Sequence, residues 1–207
     1  MSGRSQRNAN AATRSSSSSG RATELVEFDD ARLHALALGY LNRFDASVSG
    51  LREVVMRKVR RALSGASLPD QERASQLTTI QQRLDALLTR FQGSGLIDDA
   101  RLARHLVGSW RDRGMSARAI QARLLKKGVP SRVVDTALGE LANDPQRNGS
   151  EIDAAVAFAR RRKLGCFGST PADRGTQRRD LARMARAGFD FDVSLRALNV
   201  RVDDDTF

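Results

Sequence analysis

The pentapeptide DDARL occurs twice, at residues 29–33 and 98–102, and the two copies are the visible part of a longer internal repeat. At a constant shift of sixty-nine, Phe28 falls on Ile97, Gly39 on Gly108, Leu41 on Trp110 and Ser47 on Ser116. Leu51 then falls on Ile120, Val55 on Leu124, Met56 on Leu125 and Lys58 on Lys127, so the register holds for roughly thirty residues. A third copy lies sixty residues further on, where ARLLKKGVPSRVVDTAL (122–138) lines up with ARMARAGFDFDVSLRAL (182–198). Repetition at this scale dictates architecture, because each unit is one supersecondary element that stacks on its neighbours.

The period inside each unit is helical. Leu33, Ala37, Tyr40, Leu41 and Phe44 fall on one face, as do Leu102, Ala103, Leu106, Val107 and Trp110. Arg101, Arg104, His105 and Arg111 lie opposite the second stripe. Asp29 or Asp30 is positioned to cap the first helix, and Gly128 and Gly188 stand where helices end in the left-handed conformation. In the first unit Leu77, Ile80, Leu84, Leu87, Leu88 and Phe91 predict a third helix, matched to RLDALLTRF/VVDTALGEL at an offset of fifty. That unit therefore carries about nineteen extra residues around SGASLPDQERAS, as a long loop or as an extension of the third helix.

The reading is an all-α, elongated array of tandem three-helix repeats, about nine helices in all, after a disordered N-terminal tail. Its divisions are a basic tail (1–23), a first repeat with an expanded connection (24–95), a second repeat (96–142), a third repeat (150–200) and an acidic end (201–207). Residues 1–23 hold four Arg and no acid or large apolar residue, which cannot offset the entropy of ordering. Residues 142–150 read as a linker. With only 5% aromatics and 4 Pro, the core rests on Leu, Val and Ala, which favours helices over sheets.

Thirty-five Lys and Arg against 24 Asp and Glu give a net charge of +11, which points to a polyanionic partner. The charge is clustered. Residues 101–134 carry nine basic residues against Asp112, and residues 157–188 carry nine against Asp173 and Asp180. Arg123, Lys126 and Lys127 share an arc away from Ile120, Leu124 and Leu125. Arg179, Arg183 and Arg186 share one away from Leu181 and Ala185, and Arg160, Arg161, Arg162 and Lys163 form a third cluster. Because the arcs fall at matching places in successive repeats, stacking would merge them into one stripe.

Catalytic groups are wanting. Asp98-Asp99 is the most enzyme-like feature, yet it stands at a helix start and recurs as Asp29-Asp30, as capping requires. FQGSGL has the glycines of a phosphate loop but no Gly-Lys-Ser/Thr ending. Cys166 is the sole cysteine, and with His34 and His105 scattered no structural zinc site is expected, nor any cofactor. The lone cysteine and the lack of a membrane-span or signal-like run predict a cytosolic protein that is not membrane-bound, and the missing catalytic groups predict that it is not an enzyme.

The run GLIDDARLARHLVGSWRDRGMSARAIQARLLKKGVPSRVVDTAL resembles the central segment of the RecX family, in which an acid pair, a helix and a Lys-Gly turn occur in order. The resemblance spans most of residues 30–199. It departs from the family at Leu102, where an aromatic is usual, and in the expansion of the first unit. It implies a monomeric all-helical regulator that lies in the groove of the RecA–DNA filament and dampens ATP hydrolysis and strand exchange, so modulating recombinational repair and the SOS response. On that reading the basic residues named above would touch acidic protein and the phosphates of single- or double-stranded DNA. The alternative is a RecA-independent helical nucleic-acid-binding protein using the same patches.

Overall fold

The computed structural model describes residues 27–66, 68–143, 150–168 and 173–199. The expected basic tail, most of the expected linker and the acidic end lie outside the described residues. Among those described there are nine α-helices, one short 3₁₀ turn and no strand. In chain order the helices are α1 Asp30–Leu41, α2 Val48–Ser64, α3 Asp70–Gly93, α4 Asp99–Asp112 and α5 Ala117–Lys126. They continue as α6 Ser131–Ala142, α7 Glu151–Arg162, α8 Arg174–Arg186 and α9 Phe191–Asn199, with the 3₁₀ turn Gly165–Phe167 between α7 and α8.

Local chemistry sets the helix ends. Asp29 accepts the Arg32 N–H at 2.8 Å, and Asp98 accepts those of Ala100 and Arg101 at 2.9 Å, so the first residue of each acid pair caps a helix. Ser47 and Ser116 cap α2 and α5 in the same manner, accepting from Gly50 and Ala119. At the far ends, Gly128 (φ +79°) and Gly188 (φ +89°) take the left-handed conformation. There the N–H of Val129 reaches back to Leu124 and that of Phe189 to Met184, the paired 6→1 bonds of a Schellman stop.

Three apolar clusters follow the three sets of helices. α1–α3 enclose Leu33, Leu51, Val55, Val59, Leu84 and Leu88; α4–α6 enclose Ala103, Val107, Ile120, Leu124 and Val134. α7–α9 enclose Ala155, Ala159, Leu164, Met184, Ala197 and Leu198. Helix packing runs chiefly within each set, α4 on α6 and α7 on α9 most extensively.

The extra residues of the first unit are helix. α2 has 17 residues against 10 in α5, and α3 has 24 against 12 in α6. The apolar period continues through Val59 and Leu63 on one helix and Ile80 on the other, so lengthening both helices buries more surface than a loop would. Three expected core positions lie elsewhere. Phe44 follows the end of α1 and is 56% exposed, Leu125 is 45% exposed, and Ala185 faces solvent. On α8 the buried residues are Asp180 and Met184, a one-residue rotation from the expected Leu181–Ala185 face.

Candidate functional site

The units are joined by polar contacts that recur. At the first junction the Ser47 hydroxyl, while capping α2, donates to the carbonyl of Lys127 at 2.5 Å. The N–H of Val48, first residue of α2, donates to Asp99 Oδ1 at 2.9 Å. At the second junction the Ser116 hydroxyl donates to the carbonyl of Ala187 at 2.7 Å. The N–H of Ala117, first residue of α5, donates to both carboxylate oxygens of Glu151 at 3.2 Å. Thus one serine reads the end of the next unit's second helix, and one carboxylate from the start of the next unit's first helix receives an orphan N–H. Gly128 and Gly188 allow the approach, since a Cβ there would stand 2.9 Å from Ser49 and 2.6 Å from Ser116.

The junctions also divide the acid pair. Hydrogen bonds from the backbone of Arg101, chiefly, and Ala100 hold the Asp98 carboxyl below its ordinary value. Asp99 goes the other way: desolvation against the neighbouring unit raises it, with the Asp98 charge adding and the Val48 hydrogen bond opposing. Capping explains Asp98. Asp99 is a joint between units.

Most of the basic residues expected to bind are on the surface. Arg101, Arg104, Arg123, Lys126, Lys127, Arg160, Arg161, Arg162, Lys163, Arg179, Arg183 and Arg186 are all exposed. Arg111 is not. Its side chain is 9% exposed and pairs with Glu151 at 2.5 Å while also donating to the carbonyl of Met115, so it fastens the second and third units instead of facing a partner. Period 3.6 places Arg111 off the core of its own helix, but the neighbouring unit covers that side. Arg161 also reaches across this junction, donating to the carbonyl of Arg113.

Two basic recesses differ in character. The first, about 390 Å³, lies at the first junction and mixes signs: Lys126, Lys127 and Arg57 line it together with Asp45 and Glu53. The second, about 520 Å³, lies between α7 and α8 and is lined by Arg162, Arg183, Arg186, Phe158, Leu164 and Ala187. Beneath it the buried Asp180 accepts the Gly165 N–H at 2.9 Å with one oxygen and holds Arg183 at 3.3 Å with the other. Arg161 and Arg162 both lie 6.0 Å from the centre of the Phe158 ring. His34 and His105 are exposed, and among the described residues no group of three or more His, Cys, Asp or Glu is placed to hold a metal ion.

Ser47, Ser116, Asp99, Glu151, Phe158 and Asp180 were not expected as functional positions. A signal existed for the first four: the serines share the sixty-nine-residue offset, and each carboxylate opens a unit's first helix. None existed for Phe158 and Asp180, whose roles depend on how α7 meets α8.

Residues 98–138, which run from the cap of α4 into α6, match the family model described as the RecX second three-helix domain. The regulatory protein RecX of Myxococcus xanthus is 34% identical over 168 residues, covering 81% of this chain and 84% of that protein. That of Agrobacterium fabrum is 26% identical over 154 residues, 74% of each. The crystal structure of RecX from Lactobacillus salivarius superposes with a TM-score of 0.55 over 82% of this chain and 94% of its own, at 18% identity, a likeness of fold. With sequence identity at this level sustained over four-fifths of the chain, and the same helical array beneath it, the chain belongs to the RecX family.

Proposed function

We propose that this protein regulates the RecA recombinase by lying along the RecA–DNA filament and slowing its ATP hydrolysis and turnover. The role is regulatory and not catalytic. One observation carries the reading: the two junctions share a serine-to-carbonyl bond and a backbone N–H-to-carboxylate bond at matching places. Ser47 binds the carbonyl of Lys127 as Ser116 binds that of Ala187, so the same kind of contact joins successive units. Arg123 and Lys126 of the second unit correspond to Arg183 and Arg186 of the third, sixty residues on. Their charges therefore recur from one unit to the next, which suits a repeating polymer partner better than a compact one. The expected divisions 24–95, 96–142 and 150–200 serve in this proposal as the three units of that array.

The test is ATP hydrolysis by RecA on single-stranded DNA with and without the protein. Hydrolysis is expected to fall as the protein is added, and Arg123→Glu/Lys126→Glu/Lys127→Glu is expected to relieve the inhibition while retaining helical content. Undiminished RecA turnover at saturating protein, with tight binding to bare DNA, would replace this reading by that of a RecA-independent nucleic-acid binder.

A further inference from the structure

The two basic recesses select different chemistries. A groove in which Asp45 and Glu53 accompany Arg57, Lys126 and Lys127 offers both signs, and both signs suit a folded protein surface. The α7–α8 cleft offers three guanidinium groups and no carboxylate on its walls; Asp180 lies below, occupied by Gly165 and Arg183. We infer that this cleft is a phosphodiester-backbone site, formed by Arg162, Arg183 and Arg186 around Phe158, through which the third unit holds single-stranded DNA.

Three features support that assignment. All three cations are arginines, whose planar donor fork matches phosphate oxygens in pairs, as a lysine ammonium does not. Arg183 is positioned before any ligand arrives, because a buried carboxylate, itself fixed by a backbone N–H, anchors it from beneath. Phe158 and the apolar Leu164 and Ala187 line the same cleft, giving a sugar or base an uncharged wall beside the phosphate. The division of labour is then phosphate at the third unit and protein at the first junction. It rests on the regulatory reading for its setting, but its test needs no RecA.

The experiment is binding of the full chain to a fluorescent oligo(dT) across a salt series. Arg162→Gln/Arg183→Gln/Arg186→Gln is compared with a charge-matched control, Arg43→Gln/Arg90→Gln/Arg132→Gln, from exposed sites on the other units. Three lost contacts are expected to flatten the log–log salt slope by about 2 and to weaken binding on the order of a hundredfold at 0.1 M salt. The control is expected to change the slope by less than a third of that. Equal losses in the two variants would overturn the site, since net charge alone would then explain binding. Displacement of the oligonucleotide by millimolar inorganic phosphate at constant ionic strength would also overturn it, assigning the cleft to a free anion. Should Arg183→Gln unfold the third unit by orphaning Asp180, Arg162→Gln/Arg186→Gln carries the same comparison with about two-thirds of the effect. Failure here leaves inhibition of RecA to stand or fall on its own assay.

Discussion

Gly188→Ala tests the second junction. Two costs add. A non-glycine residue at φ +89° is held in the left-handed region, which costs about 1–2 kcal/mol. The new Cβ would also stand 2.6 Å from Ser116 Oγ, too close for any real contact, so that hydroxyl must leave its place. Ser116 then gives up the bond to the Ala187 carbonyl at 2.7 Å and the cap it offers the Ala119 N–H at 3.1 Å, each contributing about 0.5–1.5 kcal/mol. The expected loss is about 2–5 kcal/mol in urea unfolding followed by circular dichroism. The joint origin of the two terms is read from a double-mutant cycle. With Ser116→Ala already present, Gly188→Ala meets no hydroxyl and retains only its backbone cost, so the cycle should show a coupling of about 1–3 kcal/mol. Hydrogen exchange should locate the weakening at the start of α5 and the end of α8. A loss under about 0.5 kcal/mol, or a cycle that closes additively, would refute the geometry and with it the likeness of the two junctions.

Other consequences are as direct. Leu124 is fully buried among α4–α6, so Leu124→Ala should destabilise by about 3–5 kcal/mol, and the half-buried Leu106→Ala by less, both measured by thermal unfolding. Glu151→Gln leaves the buried Arg111 guanidinium without its ion partner and should cost about 2–3 kcal/mol, at the low end for a broken pair because Glu151 itself keeps some water; a change near zero would place Arg111 in solvent. Gly39→Ala and Gly139→Ala meet open space within helices and should stabilise by up to about 1 kcal/mol each. The acid pair should titrate apart by carboxyl NMR: on acidification Asp99 takes up its proton first and Asp98 last. Asp98, depressed in the fold, stabilises above its unfolded pKa and loses that contribution as pH falls through the folded value. Asp99, raised in the fold, contributes below its unfolded pKa and loses that contribution as pH rises through the folded value, so the two partly cancel across the acid range. Coincident titration would mean the first junction does not bury Asp99.

Features that depend on neighbours in the chain were legible without coordinates. Asp29 and Asp98 cap within three residues of themselves, Gly128 and Gly188 stop helices through local φ, and the repeat declares itself by constant offset. What depends on docking was not legible. A 3.6-residue period says which side of a helix is apolar, but not which neighbour covers its flank. For that reason Arg111, off the core of α4, ends up in the second junction, while Leu125 and Ala185, on expected core faces, meet solvent. Asp180 looks like a surface acid by composition and is buried because α8 is turned by one residue to seat Met184. The cleft between α7 and α8 likewise joins Arg162 to Arg183 and Arg186 across twenty residues of chain, a proximity that no local rule encodes. Helix identity is paid for within a few residues, whereas a shared surface exists only after separate helices have buried their faces against one another.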